Sequence, residues 1–147
     1  MKLKQITLSI ENSPDRLYQV TSALGDAGIN LRALNLVDTG EFGQLRLLVS
    51  DVVTARRILM EMQMPAFITE VVATEIPDTP KSLANILRAL KDARVYPISM
   101  YAFHGSPHGQ AVMIFRFSDN DAAIEILREK GVTILDNKAF GMLETGK

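Results

Sequence analysis

The sequence predicts an α+β protein: two βαββαβ sandwiches in tandem, each an antiparallel sheet with both helices on one face. Three observations predict it. Apolar residues alternate with period two in some segments, recur at helical spacing in others, and the whole pattern occurs twice. The 147 residues suffice for one ordinary domain or two very small ones, and two halves of that size are each marginal alone. Duplicated units are therefore expected to share an interface or a partner.

The duplication shows when the chain is slid against itself. Pro14 and Pro80 lie 66 positions apart, and at that offset Ile6, Leu8 and Ile10 face Val72, Thr74 and Ile76. Leu17, Val20, Leu24 and Ala27 then face Leu83, Ile86, Leu90 and Ala93. After a two-residue insertion the offset becomes 68, and Leu45, Leu47 and Val49 face Met113, Phe115 and Phe117. Ser50-Asp51 falls on Ser118-Asp119, and Ala55, Ile58 and Leu59 fall on Ala123, Ile126 and Leu127.

Each element has a local reason. Ile6, Leu8 and Ile10 alternate as one face of a half-buried strand. Ser13-Pro14, and Thr79-Pro80 in the second copy, pair a capping hydroxyl with proline at the first helical position. Leu17, Val20, Leu24 and Ala27 form the helical stripe, which Gly28 stops. Leu31 to Val37 and Gln44 to Val49 read as strands joined by a turn with Gly40 and Gly43. Asp51 caps a second helix with Ala55, Ile58, Leu59 and Met62 inside, and Phe67 to Val71 closes the unit. This order is the split βαβ pattern of ferredoxin-like folds. The expected domains are residues 1–70 and 71–137, followed by a tail, 138–147, that docks or frays. No linker separates the copies: Phe67 to Ile76 serves both, with a change of apolar parity at Val71-Val72 that predicts a kink or bulge. Rigid coupling of the two copies is the expectation. Pro97 removes one strand donor and predicts an edge position.

Charge and composition exclude several functions. Sixteen Lys+Arg against seventeen Asp+Glu give a net charge of −1, and neither copy carries the basic excess of a nucleic-acid binder. The absence of cysteine removes disulfides, thiolate nucleophiles and Cys-based zinc sites. No apolar stretch approaches membrane-spanning length and no secretory signal is visible, so a cytoplasmic protein without a membrane partner is expected. The histidines, His104 and His108, sit in one glycine- and proline-rich hairpin with no acidic residue, which predicts an exposed loop rather than a metal site. Asp119 and Asp121 fall where a helix start favours negative charge. No P-loop or dinucleotide spacing occurs. Neither a catalytic constellation, a metal site nor a cofactor is predicted.

One loop carries candidate chemistry: Ile10-Glu11-Asn12-Ser13-Pro14-Asp15-Arg16-Leu17. A helix N-terminus presents unpaired N–H groups and partial positive charge, which suit a small carboxylate. Pro14 offers no N–H, whereas Asp15, Arg16 and Leu17 do. The Asn12 side chain can accept from an ammonium group, and Asn30, ahead of Leu31, can offer a second amide. Such a set suits the head group of a free amino acid; ordinary turn and cap residues are the plainer reading.

The run Asn12-Ser13-Pro14-Asp15-Arg16-Leu17, followed by Gly28-Ile29-Asn30, resembles the ACT-domain signature of Asn/Asp-x-Pro-Gly-x-Leu and a later Gly-Ile-Asn. The resemblance extends over both copies. It implies small-molecule sensing, usually of an amino acid, at an interface between two such domains whose sheets join side by side. On that resemblance Asn12 and Asn30 face the ligand, while Ile10, Ser13, Pro14, Arg16, Leu17 and Leu31 shape the pocket. Asp15 stands where the family has glycine; its side chain either obstructs a carboxylate or favours an ammonium. The second copy departs further, with Asp78, Thr79, Lys81, Ser82, Leu83 and Tyr96 as a second set. Asp78 can pair an ammonium and Lys81 a carboxylate; alternatively this copy supplies only a wall. The expectation is a non-catalytic regulatory protein, a homodimer or higher assembly, acting on a separate target enzyme. The rivals are a structural interaction module with degenerate pockets and, less favoured, a ferredoxin-like hydrolase using Arg16.

Overall fold

A computed structural model describes residues 2–11, 13–103 and 109–144. Asn12 and the histidine hairpin residues 104–108 lie outside the described residues. The chain divides into two compact units. One comprises residues 4–69 with 137–144, the other residues 70–136 with 2–3.

In the first unit the order is β1 (Leu3–Glu11), α1 (Pro14–Asp26), β2 (Leu31–Asp38), β3 (Phe42–Val49), α2 (Val52–Glu61) and the start of β4 (Ala66–Ile76). The strands lie in the order β2-β3-β1-β4. The antiparallel register sets Ile6 against Leu47, Leu8 against Leu45 and Ile10 against Gly43, and Leu34 and Leu36 against the same Leu47 and Leu45. The alternating residues therefore share one face. Ile6, Leu45, Leu47, Val20, Leu24 and Leu59 are fully buried, and each such side chain contributes roughly 1.5–3 kcal/mol by leaving water. The opposite face is mixed: Leu3, Leu48 and Ala33 are buried on it, while Thr7 opposes Arg46, which opposes Asn35 and donates to its Oδ1 at 3.3 Å.

The second unit repeats the plan with the remainder of β4, α3 (Ser82–Asp92), β5 (Pro97–Phe103), β6 (Ala111–Phe117), α4 (Asn120–Glu129) and β7 (Thr133–Leu135). Its strands follow the order β7-β4-β6-β5, which puts Pro97 at the start of an edge strand. Val72, Ile76, Ile86, Leu90 and Phe115 belong to its core, where Phe115 and Phe117 stack with centroids 4.7 Å apart. Lys2 joins this unit through Asp121 at 2.9 Å and Glu70 at 3.7 Å.

Small details repeat along with the large ones. Ser50 Oγ accepts the Asn30 N–H at 2.9 Å, and Ser118 Oγ accepts the Tyr96 N–H at 3.2 Å. The register slips between Leu31 and Ala33 and again between Pro97 and Ser99. Asp51 and Asp119 cap their helices by accepting the N–H of Thr54 and Ala122. In β4, Val71, Val72, Ala73 and Thr74 are all buried, so both faces of the strand are covered there. One expectation is corrected. Thr79-Pro80 does not start α3; the helix begins at Ser82, after Lys81 in the left-handed conformation at φ 73 with no side-chain cap. The Thr79 hydroxyl is 2.7 Å from the Ser82 hydroxyl and so is used side chain to side chain.

Residues 137–144 dock on the first unit. Leu143 N–H donates to the Ser50 carbonyl at 2.8 Å and Arg32 Nε–H to the Gly141 carbonyl at 3.2 Å. Phe140 and Met142 are buried there. Among the described residues no helix is long and apolar enough to cross a membrane.

Candidate functional site

The loop after β1 is organised by its own hydroxyl. Ser13 is the N-cap of α1, in extended conformation, and its Oγ accepts the Arg16 N–H at 3.4 Å. Its own N–H reaches the Glu11 carbonyl at 2.8 Å. Pro14 follows at the first helical position, where a missing N–H costs nothing. With Arg16 N–H engaged and Leu17 N–H taken by the Ser13 carbonyl in the first helical bond, the first-turn donor left to a ligand is that of Asp15.

Beside this turn lies a cavity of about 340 Å³. Of the residues predicted from sequence, it brings together Ile10, Ser13, Pro14 and Leu17. It adds Glu11 of the same loop and three residues that sequence reasoning missed: Leu36, Asp38 and Gly43. Strand register is what joins them, because Gly43 opposes both Ile10 and Asp38. A Cβ at Gly43 would stand 3.0 Å from Leu36 Cδ1, so glycine keeps this floor open. Asp38 is positioned by the tight turn that follows, its Oδ1 accepting the Gly40 N–H at 2.9 Å. Two acidic residues, Glu11 and Asp38, thus line the cavity beside the N-terminus of α1.

Arg16 points elsewhere. Its Nη1 donates to Gln19 Oε1 at 3.0 Å, and its buried Nε has no hydrogen-bond partner among the described residues. Asp15 is exposed at the first turn. Asn30 and Leu31 lie far from the loop within their unit. Leu31 opposes Val49 while Asp38 opposes Gly43, and the seven intervening steps of strand span about 23 Å. The length of α1 is the signal that could have found this, since thirteen helical residues carry the chain about 20 Å away.

The second set is dispersed in the same manner. Asp78, Thr79 and Lys81 form the turn before α3, Leu83 packs against the core, and Ser82 lines a cavity of about 320 Å³ with Asn85, Gln110 and Lys130. Tyr96 sits at the other end of α3, 63% exposed. Among the described residues, no three His, Cys, Asp or Glu side chains converge as metal ligands.

A family model for an ACT domain pair matches residues 1–143. The chain belongs to that family. Over 97% of its length this ACT domain pair is 35% identical to protein BT0572 from Bacteroides thetaiotaomicron, covering 98% of that chain with a TM-score of 0.90. It is also similar to the regulatory subunit of aspartate kinase from Thermus thermophilus, in its ligand-free form. There identity is 17%, coverage 86% of this chain and 90% of the other, and the TM-score 0.62. For the corresponding subunit from Thermus flavus the values are 16%, 86%, 90% and 0.57. At those identities the likeness is one of fold. No curated protein matches the chain. Within the first ACT domain the cavity borders the signature loop, and within the second the same turn is rebuilt around Lys81.

Proposed function

We propose that this ACT domain pair is a non-catalytic regulatory protein whose first domain binds a free amino acid beside the turn Ser13-Pro14. The observation that carries the reading is the cavity itself. Glu11 and Asp38 line it and suit an ammonium group, while the first turn of α1 suits a carboxylate. Ile10, Leu17 and Leu36 leave an apolar wall for a side chain. A zwitterion satisfies both ends at once; a simple anion meets two carboxylates and is repelled.

The position of Asn30 favours a site completed by a second copy of the chain. Its amide is too distant to reach its own loop, so an amide in that role comes from another ACT domain. Exposed Leu34, Leu36, Val37 and Phe42 on or beside the edge strand β2 offer apolar area for such an assembly. Ligand held across an interface favours the assembled state by differential affinity, which is how binding is transmitted to a separate partner. The two Thermus proteins of the same fold are regulatory subunits of aspartate kinase, which supports a regulatory role of this kind.

Thermal denaturation in the presence of each of the twenty amino acids tests the proposal. At one hundred times Kd a bound ligand adds about 2.7 kcal/mol, an easily read shift. Asp38→Asn and Asn12→Ala are expected to abolish it. No shift at millimolar ligand leaves the rival reading, an interaction module with degenerate pockets.

A further inference from the structure

The second ACT domain carries a groove whose lining side chains the first domain does not share. It follows α3 onto the start of β5 with a volume of about 840 Å³, inside the ~300–1,000 Å³ range of small-molecule sites. Leu87, Val95 and Pro97 give it an apolar floor. Arg88, Lys91 and Arg94 also line it, and no carboxylate does. All three cations are exposed, and among the described residues none of them forms an ion pair. Tyr96 presents an exposed ring beside them.

Duplication supplies an internal control. The 66-residue offset puts Ser22, Gly25, Gly28 and Asn30 where the second copy has Arg88, Lys91, Arg94 and Tyr96. The same backbone therefore carries the charges and the ring in one domain only. Arg94 even keeps the left-handed backbone, φ 61, that Gly28 adopts at φ 75, and a side chain there is less comfortable than glycine. A helix C-terminus favours cations in its last turn, but that preference accounts for neither the ring nor the absence of any paired acid.

We infer that this groove binds a nucleoside di- or triphosphate. Guanidinium forks and an ammonium take the phosphate oxygens, and the base stacks against Tyr96 over the apolar floor. A bare inorganic anion leaves the ring and floor unused. A zwitterionic amino acid brings an ammonium that three unpaired cations repel. The inference is independent of the amino-acid site, which lies in the other domain.

Titration calorimetry on the full chain with ADP, ATP and GTP, with inorganic triphosphate as the comparison, tests it. One saturable site for at least one nucleotide is expected, weakening as salt rises. Arg94→Gly restores the first copy's residue and relieves the backbone, so it is expected to fold; nucleotide affinity should fall about tenfold. Tyr96→Ala should weaken the nucleotide about tenfold while leaving triphosphate unchanged. Any of three results overturns the inference: no nucleotide binds below millimolar concentration, Arg94→Gly and Arg88→Ser both bind as wild type, or triphosphate binds as tightly as the nucleotides. A polyglutamate peptide that binds more tightly than any nucleotide also overturns it, making the groove a protein-docking surface.

Discussion

Gly141→Ala and Gly25→Ala are the same substitution with opposite expected signs. Gly141 sits in the docked segment at φ +68, and a Cβ there would stand 2.8–2.9 Å from the Arg32 guanidinium. A left-handed alanine costs roughly 1–2 kcal/mol. Arg32 is flexible and can swing away, but doing so gives up its 3.2 Å hydrogen bond to the Gly141 carbonyl, worth about 1 kcal/mol or less at an exposed site. The expected loss is about 1.5–2.5 kcal/mol, confined to the first unit because residues 137–144 belong to it. Gly25, by contrast, lies inside α1 with nothing within 4 Å of an added Cβ. Alanine there gains about 0.8–1.0 kcal/mol of helix propensity. Hydrogen exchange reads the first effect locally at the Leu143 amide, which donates to Ser50, and thermal denaturation reads both at about 4–8 °C per kcal/mol for a unit of this size. If Gly141→Ala leaves Leu143 protection and the melt unchanged, the described docking of this segment is wrong.

Other outcomes follow from single contacts. Asp51 accepts from Thr54 Oγ1 at 2.7 Å and Thr54 N–H at 3.1 Å, and these bonds, the hydroxyl first, hold its carboxyl below the usual value. Asp51→Ala is expected to cost about 1 kcal/mol near neutral pH. A depressed carboxylate stabilises fully above its unfolded pKa of about 3.9 and loses that contribution as pH falls through the folded value. The deficit of Asp51→Ala in urea titrations should therefore shrink in acid; a deficit independent of pH refutes the assignment. Phe115→Ala removes a fully buried ring that stacks on Phe117 and should cost about 3–5 kcal/mol by denaturant titration, whereas a loss below 1 kcal/mol contradicts the core. Lys2→Ala deletes ion pairs whose acidic partners are exposed and should leave the denaturation midpoint essentially unchanged.

Most of the fold was legible because each copy repeats its local chemistry. The caps Ser13, Asp51 and Asp119, the alternation at Ile6, Leu8 and Ile10, and the shared strand through Val71-Val72 all act through neighbours in sequence. The start of α3 was not legible, because Thr79-Pro80 and Ser13-Pro14 look alike until Lys81 turns left-handed. Part of the candidate cavity was equally hidden. Ile10, Ser13, Pro14 and Leu17 belong to one continuous loop, but Asp38 and Gly43 arrive by strand register, which no local pattern states. Asn30 misled in the opposite sense, since nearness along the chain concealed a helix length of separation.

The two repeats exchange small pieces: Leu3 and Lys2 sit with the second unit, residues 137–144 with the first, and β4 passes from one unit into the other. This has an evolutionary consequence. A deletion that trims the gene back to one copy removes part of the surviving unit as well, so the duplication resists reversal. Point substitution remains the open route, and the two copies already differ in this way at a helix end, where one has Gly28 and the other Arg94.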